Sequence, residues 1–173
     1  MRDRRTEIEA FHLAWLCAYY ALYSPNRIPL KGVRPDLASP RSVLFEVKSR
    51  HYSVGPSQNS WFPLMVSQVQ GYRAAVQELG LEMAWIFVFC QTTGNLMAKL
   101  EPITEADILH RDVYVVPWGV EQYASNSQNP GKYYHISVKH LQTSHSFSQK
   151  SAGNSALWLA ASLDDVVKEC FVH

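Results

Sequence analysis

An α/β fold, with a central mixed sheet flanked by helices, is what the sequence predicts. Three observations carry this. An amphipathic helix opens the chain, two short extended segments joined by a tight turn follow, and a second helix leads into an apolar run suited to a strand buried on both faces. The resulting order is α-β-β-α-β, with room for one further strand and an appended C-terminal β/α segment.

Thr6-Glu7-Ile8-Glu9 has capping-box spacing, so the first helix is expected to start at Thr6. Ile8, Phe11, Trp15, Tyr19 and Leu22 then recur at steps of three and four, until Ser24-Pro25-Asn26 breaks the stripe. Residues 28–36 and 42–48 read as strands paired antiparallel through Ala38-Ser39-Pro40-Arg41. In the second of them Glu46 and Lys48 flank Val47, so both charged side chains share one face.

Residues 51–63 read as a long polar loop carrying Trp61 and Phe62, which either stack on bases or anchor in the core. Residues 65–79 form the second helix, with Gly80 as its C-cap, and residues 83–90 the buried strand. Beyond them the pattern gives a short helix at 104–109 and strands at 113–118 and 132–141. A loop at 144–155 and a terminal helix at 163–171 complete the chain.

At 173 residues the chain reads as a single domain, with a core over about 6–118 and an extension at 119–173 that serves either DNA binding or dimerisation. Its 47% hydrophobic and 18% charged residues exclude a disordered chain. Cys17, Cys90 and Cys170 are widely spaced and signal neither a disulfide framework nor a zinc site. His135, His140 and His145, five apart, fit no common zinc pattern either.

No apolar run approaches the roughly twenty residues that span a bilayer, so a soluble, unexported, cytoplasmic protein without a membrane partner is expected. Nine basic residues stand against five acidic ones in the first fifty positions, a local charge of +4 in a chain whose total is +1. That asymmetry is either surface scatter or the footprint of an anionic partner.

Pairing of the two predicted strands brings Asp36 opposite Glu46 and Lys48. Two carboxylates held close raise each other's proton affinity unless a cation neutralises them, and hard oxygen ligands suit Mg²⁺. Such an ion polarises a phosphate oxygen and lowers the pKa of bound water. The Lys48 ammonium then holds the attacking water or stabilises the charge that develops, and the Val47 carbonyl supplies a further ligand.

Arg34-Pro35-Asp36 and, ten residues on, Glu46-Val47-Lys48 resemble the bipartite motif of the PD-(D/E)XK nuclease superfamily. The resemblance implies a restriction-endonuclease-like core and a divalent-metal-dependent DNA nuclease, an endonuclease in most of the forms it suggests. Mg²⁺ is the implied cofactor, with Mn²⁺ able to substitute, and no small-molecule cofactor is expected. Gln68 and Tyr72 are similar to the Q-x-x-x-Y element of RecB-like members, which implies a place for Gln68 beside the site.

Glu9, or alternatively Glu7, matches the metal-associated glutamate that Holliday-junction-resolvase-like members carry on the first helix, and the other reading of Glu9 is the cap itself. The chain departs from RecB-like members in lacking a G-x-x-x-H element, although His12 is on the first helix, and a cysteine quartet. Arg34, Arg41, Arg50 and Tyr72 are the candidate nucleic-acid contacts. Cutting both strands of a duplex with one site per chain favours a homodimer. The alternative is a catalytically inert nucleic-acid-binding or interaction subunit, and a specific duplex site, junction, flap or end all remain open as substrates, as does RNA.

Overall fold

A computed structural model describes residues 3–20, 22–25, 34–40, 42–53, 61–117, 125–126, 133–137 and 147–151. Expectations for residues 28–33, Arg41, 54–60, Trp118, 138–141 and the helix at 163–171 lie outside the described residues.

Helix α1, Arg4–Tyr20, starts two residues before the expected position. The Asp3 carbonyl accepts the Glu7 N–H at 3.1 Å, so Thr6 is already inside the helix and the expected capping box does not form. Strand β1 is short, Leu37–Ala38, and pairs antiparallel with β2, Leu44–Tyr52. Between them Ser39 N–H donates to the Val43 carbonyl at 2.9 Å, and Ser42 takes a positive φ of 66°.

After β2 come β3, Trp61–Met65, and α2, Val66–Leu79. Gly80 ends α2 in the left-handed region at φ 62°, its N–H donating to the Val76 carbonyl, as the glycine predicts. Strand β4, Met83–Thr92, follows, then a 3-10 turn at Glu105–Asp107 and β5, Ile108–Pro117. The chain is completed by β6, Ser125–Asn126, β7, Tyr133–Ser137, and β8, Phe147–Ser151.

The main sheet runs β1-β2-β4-β5-β8 and the smaller one β3-β7-β6. In the main sheet β2 and β4 are parallel along all of β2, and the other pairings are antiparallel. This is the mixed sheet the pattern predicted. Its parallel pair also explains why β2 runs to Tyr52, where the sequence reads a loop: Tyr52 still pairs with Gln91 of β4.

Three other expectations differ. Trp61 and Phe62 belong to a strand, and Phe62 is fully buried, 4.9 Å from the Phe87 ring, so it is a core anchor. The predicted helix at 104–109 is one 3-10 turn, because β5 pairing claims the chain from Ile108. Residues 147–151, within the predicted loop, pair with β5 despite their polar composition, since an edge strand needs only main-chain partners on one side.

β4 is buried on both faces, as a continuous apolar run requires. Trp15 and Leu16 of α1 pack with Phe45, Ile86, Val88, Val113 and Val115 on one face. On the other, Trp85, Phe87 and Tyr114 meet Phe62 and Leu64 of β3, Val69 of α2 and Ile136 of β7. Phe87→Ala, which empties the centre of this second cluster, is expected to cost about 3–5 kcal/mol, read as a shift in the urea midpoint with an unchanged slope.

Candidate functional site

The site forms at the entry to β1, whose first residue follows Asp36. Asp36 N–H donates to the Phe45 carbonyl at 3.0 Å, and the Asp36 Oδ2 accepts the Val47 N–H at 2.8 Å. The carboxylate thus takes up the ladder amide that a longer β1 would have paired. Glu46 and Lys48 point to the opposite face from Val47, toward α2, where Gln68 and Tyr72 lie one turn apart.

A closed ring of polar contacts results. Lys48 Nζ donates to Gln68 Oε1 at 2.7 Å, and Gln68 Nε2 donates to Glu46 Oε1 at 2.9 Å. Lys48 Nζ also lies 3.4 Å from Glu46 Oε1. The Tyr72 hydroxyl donates to Glu46 Oε2 at 2.6 Å. Gln68 therefore holds the lysine and the glutamate at once, through the two ends of one amide.

The ring opens into a cavity of about 320 Å³. Glu9, His12 and Leu13 of α1 form one wall, Glu46 to Ser49 of β2 another, and Asp36 and Gln68 close the sides. Burial pushes the Glu46 carboxyl up to about 7, assisted by the charge of Asp36 and opposed by Lys48 and the Tyr72 hydrogen bond. Burial also raises Asp36, against the Val47 N–H, Lys48 and a hydrogen bond with Glu46. The two carboxyls are thus coupled, each bearing on the charge of the other.

Of the sequence candidates, Asp36, Glu46, Val47, Lys48 and Gln68 come together in this cavity. Glu9 shares its wall but is exposed, and among the described residues no three His, Cys, Asp or Glu side chains converge to hold a metal ion. Tyr72 differs from the expectation of a nucleic-acid contact: it is 1% exposed, and its hydroxyl buttresses Glu46. Arg34 is exposed just before Asp36, Arg50 is partly buried on the Glu46 face, and Arg41 lies outside the described residues.

A pair that the sequence reading did not single out adjoins the site. His12 of α1 and His51 of β2 meet Nε2 to Nε2 at 2.6 Å. Their ring centroids are 4.9 Å apart with the planes within 14°, the relation of two coplanar imidazoles meeting head to head. Burial lowers His12 to about 3, with help from His51 and Arg111, and lowers His51 to about 4. Both are neutral, so one proton lies between them.

His12 Nδ1 is buried without a partner among the described residues. A bare lone pair there is less unfavourable than an orphaned N–H, which assigns the shared proton to His12 Nε2, donating to His51. The available signal was a polar residue on the apolar stripe of the first helix, one turn after Ile8.

Neither a protein-family model nor a curated protein matches the sequence. Among solved structures the chain is similar to Hjc of Archaeoglobus fulgidus, a Holliday junction resolvase from an archaeal hyperthermophile. Identity is 15%, coverage is 79% of this chain and 91% of that one, and the TM-score is 0.42.

Proposed function

We propose that the chain is a divalent-metal-dependent DNA nuclease of the PD-(D/E)XK kind, with Asp36 and Glu46 as metal-binding carboxylates and Lys48 as the catalytic cation. The reading rests on one observation: two coupled carboxylates, Glu46 buried and Asp36 half-buried, share a cavity with a lysine that Gln68 ties to one of them. A structural ion pair needs no cavity and no second carboxylate.

The donor set suits a hard divalent cation. Asp36 and Glu46 offer carboxylate oxygens, and Val47, which lines the same cavity, offers a carbonyl. A bound Mg²⁺ would supply Lewis-acid polarisation of the phosphate and a more acidic water. Lys48 orients the attacking water or balances charge on the phosphoryl oxygens, and Gln68 keeps the ammonium from collapsing fully onto Glu46. Tyr72 and Gln68 fix the Glu46 carboxylate, the support a working ligand needs.

Purified protein with Mg²⁺ is expected to nick or linearise supercoiled plasmid and to lose the activity in EDTA. Failure on supercoiled, linear, branched and single-stranded DNA alike would remove the enzyme reading and leave an inert binding module. Two antiparallel strands call for two equivalent sites, so sedimentation equilibrium is expected to give twice the 19.7 kDa chain mass.

A further inference from the structure

The pairing of β1 covers only Leu44 and Phe45 of β2. The two bonds of Asp36, to the Phe45 carbonyl and from the Val47 N–H, show that odd-numbered residues of β2 turn their main-chain groups to the side away from β4. From Val47 onward that side has no strand partner among the described residues. Asp36 occupies the Val47 amide, and at the far end of the row the His51 ring is held by His12. Ser49, between them, lines the cavity, and its N–H turns to the side that has no strand partner among the described residues.

We propose that the main-chain N–H of Ser49 binds a non-bridging oxygen of the substrate phosphodiester, beside Lys48. The proposal rests on the nuclease reading and deepens it by naming a substrate contact. A second cationic side chain at this position would pair with Asp36 and be lost to the substrate. A main-chain amide carries no net charge, so it remains an anion donor next to two carboxylates, and such amides are regular phosphate contacts. Its place on a rigid strand, one residue beyond Lys48, sets the phosphate relative to the ammonium without side-chain entropy.

The test follows amide resonances of ¹⁵N-labelled protein while the dinucleotide thymidylyl-thymidine is added, and repeats the titration with its uncharged methylphosphonate analogue. The Ser49 amide is expected to move downfield with the first and stay unmoved with the second. Movement of Lys48 and Gln68 with Ser49 unmoved overturns the proposal alone. No movement anywhere around the cavity overturns it together with the nuclease reading.

Ser49→Pro adds an independent measure. Its N–H lies outside the β2–β4 ladder, and an outward-facing edge position accepts proline. Binding of a fluorescein-labelled duplex in Ca²⁺ is expected to weaken by about ten- to a hundredfold in this variant, the loss of one hydrogen bond to a charged group. Unchanged affinity in a folded Ser49→Pro protein contradicts the proposal; should the variant not fold, the amide titration decides.

Discussion

Asp36→Asn is expected to lower Mg²⁺-dependent DNA cleavage by about a thousandfold or more while leaving the melting temperature nearly unchanged. The two halves of that result have separate causes. Asparagine keeps a carbonyl oxygen that accepts the Val47 N–H, so the junction between β1 and β2 survives. It removes the negative charge that, after burial, is the largest influence raising Glu46, and with it half of the carboxylate pair. Cleavage within tenfold of wild type, in plasmid assays at saturating Mg²⁺, would show that Asp36 is a structural cap and nothing more.

Acidification from pH 7 to 5 should destabilise the fold, and the His12–His51 pair is the reason. Their folded pKa values, about 3 and 4, lie below the ordinary 6.5, so the unfolded chain takes up two protons that the native state refuses. Their contribution is complete above pH 6.5 and is lost as the pH falls toward 4 and then 3. Glu46 acts in the other sense: its folded pKa of about 7 exceeds the ordinary 4.5, so in that window the native state gains a proton that the unfolded chain does not.

The two histidine protons on the unfolded chain outnumber the one that Glu46 adds to the native state, and the raised Asp36 carboxyl trims the difference, so the loss is on the order of 1 kcal/mol or less per pH unit between 6.5 and 4.5. Urea titrations at pH 7, 6 and 5 read this directly. In His12→Gln/His51→Gln the histidine contribution is gone and the raised carboxyls of Glu46 and Asp36 remain, so stability is expected to rise on acidification. A wild-type protein whose stability is flat or rising over the same range would contradict the neutral, buried pair.

The convergence of the site's polar residues was more legible than their supports. Asp36, Glu46 and Lys48 could be read because their spacing reports on two neighbouring strands, and alternation alone assigns Glu46 and Lys48 to one face. Gln68 was legible through its spacing to Tyr72, one helical turn away. What Tyr72 does was not, because the sequence does not state which face of a helix is covered, and here β2 covers it.

The His12–His51 contact spans 39 positions and depends on how α1 lies across β2, which no local pattern encodes. For the same reason the Thr6–Glu9 spacing misled: a capping box is a local signal, and α1 extended past it to bring Arg4 against Glu7 and the carbonyls of Lys99 and Glu101. β8 was hidden by composition, since its Ser, Gln and Lys residues read as loop until β5 offers an edge.

The brevity of β1 has a consequence for how this protein behaves in a crowded solution. Among the described residues, a strand of two residues leaves its neighbour without a partner past Val47, and an open edge is the usual beginning of edge-to-edge aggregation. Here the opening is guarded by charge and by a locked ring: the Asp36 carboxylate takes the first amide, Lys48 stands beside it, and the imidazole pair stands at the far end. The gap proposed here for substrate is thereby the same gap that must turn away other strands, so apolar replacements at Asp36 should produce aggregates as well as loss of cleavage.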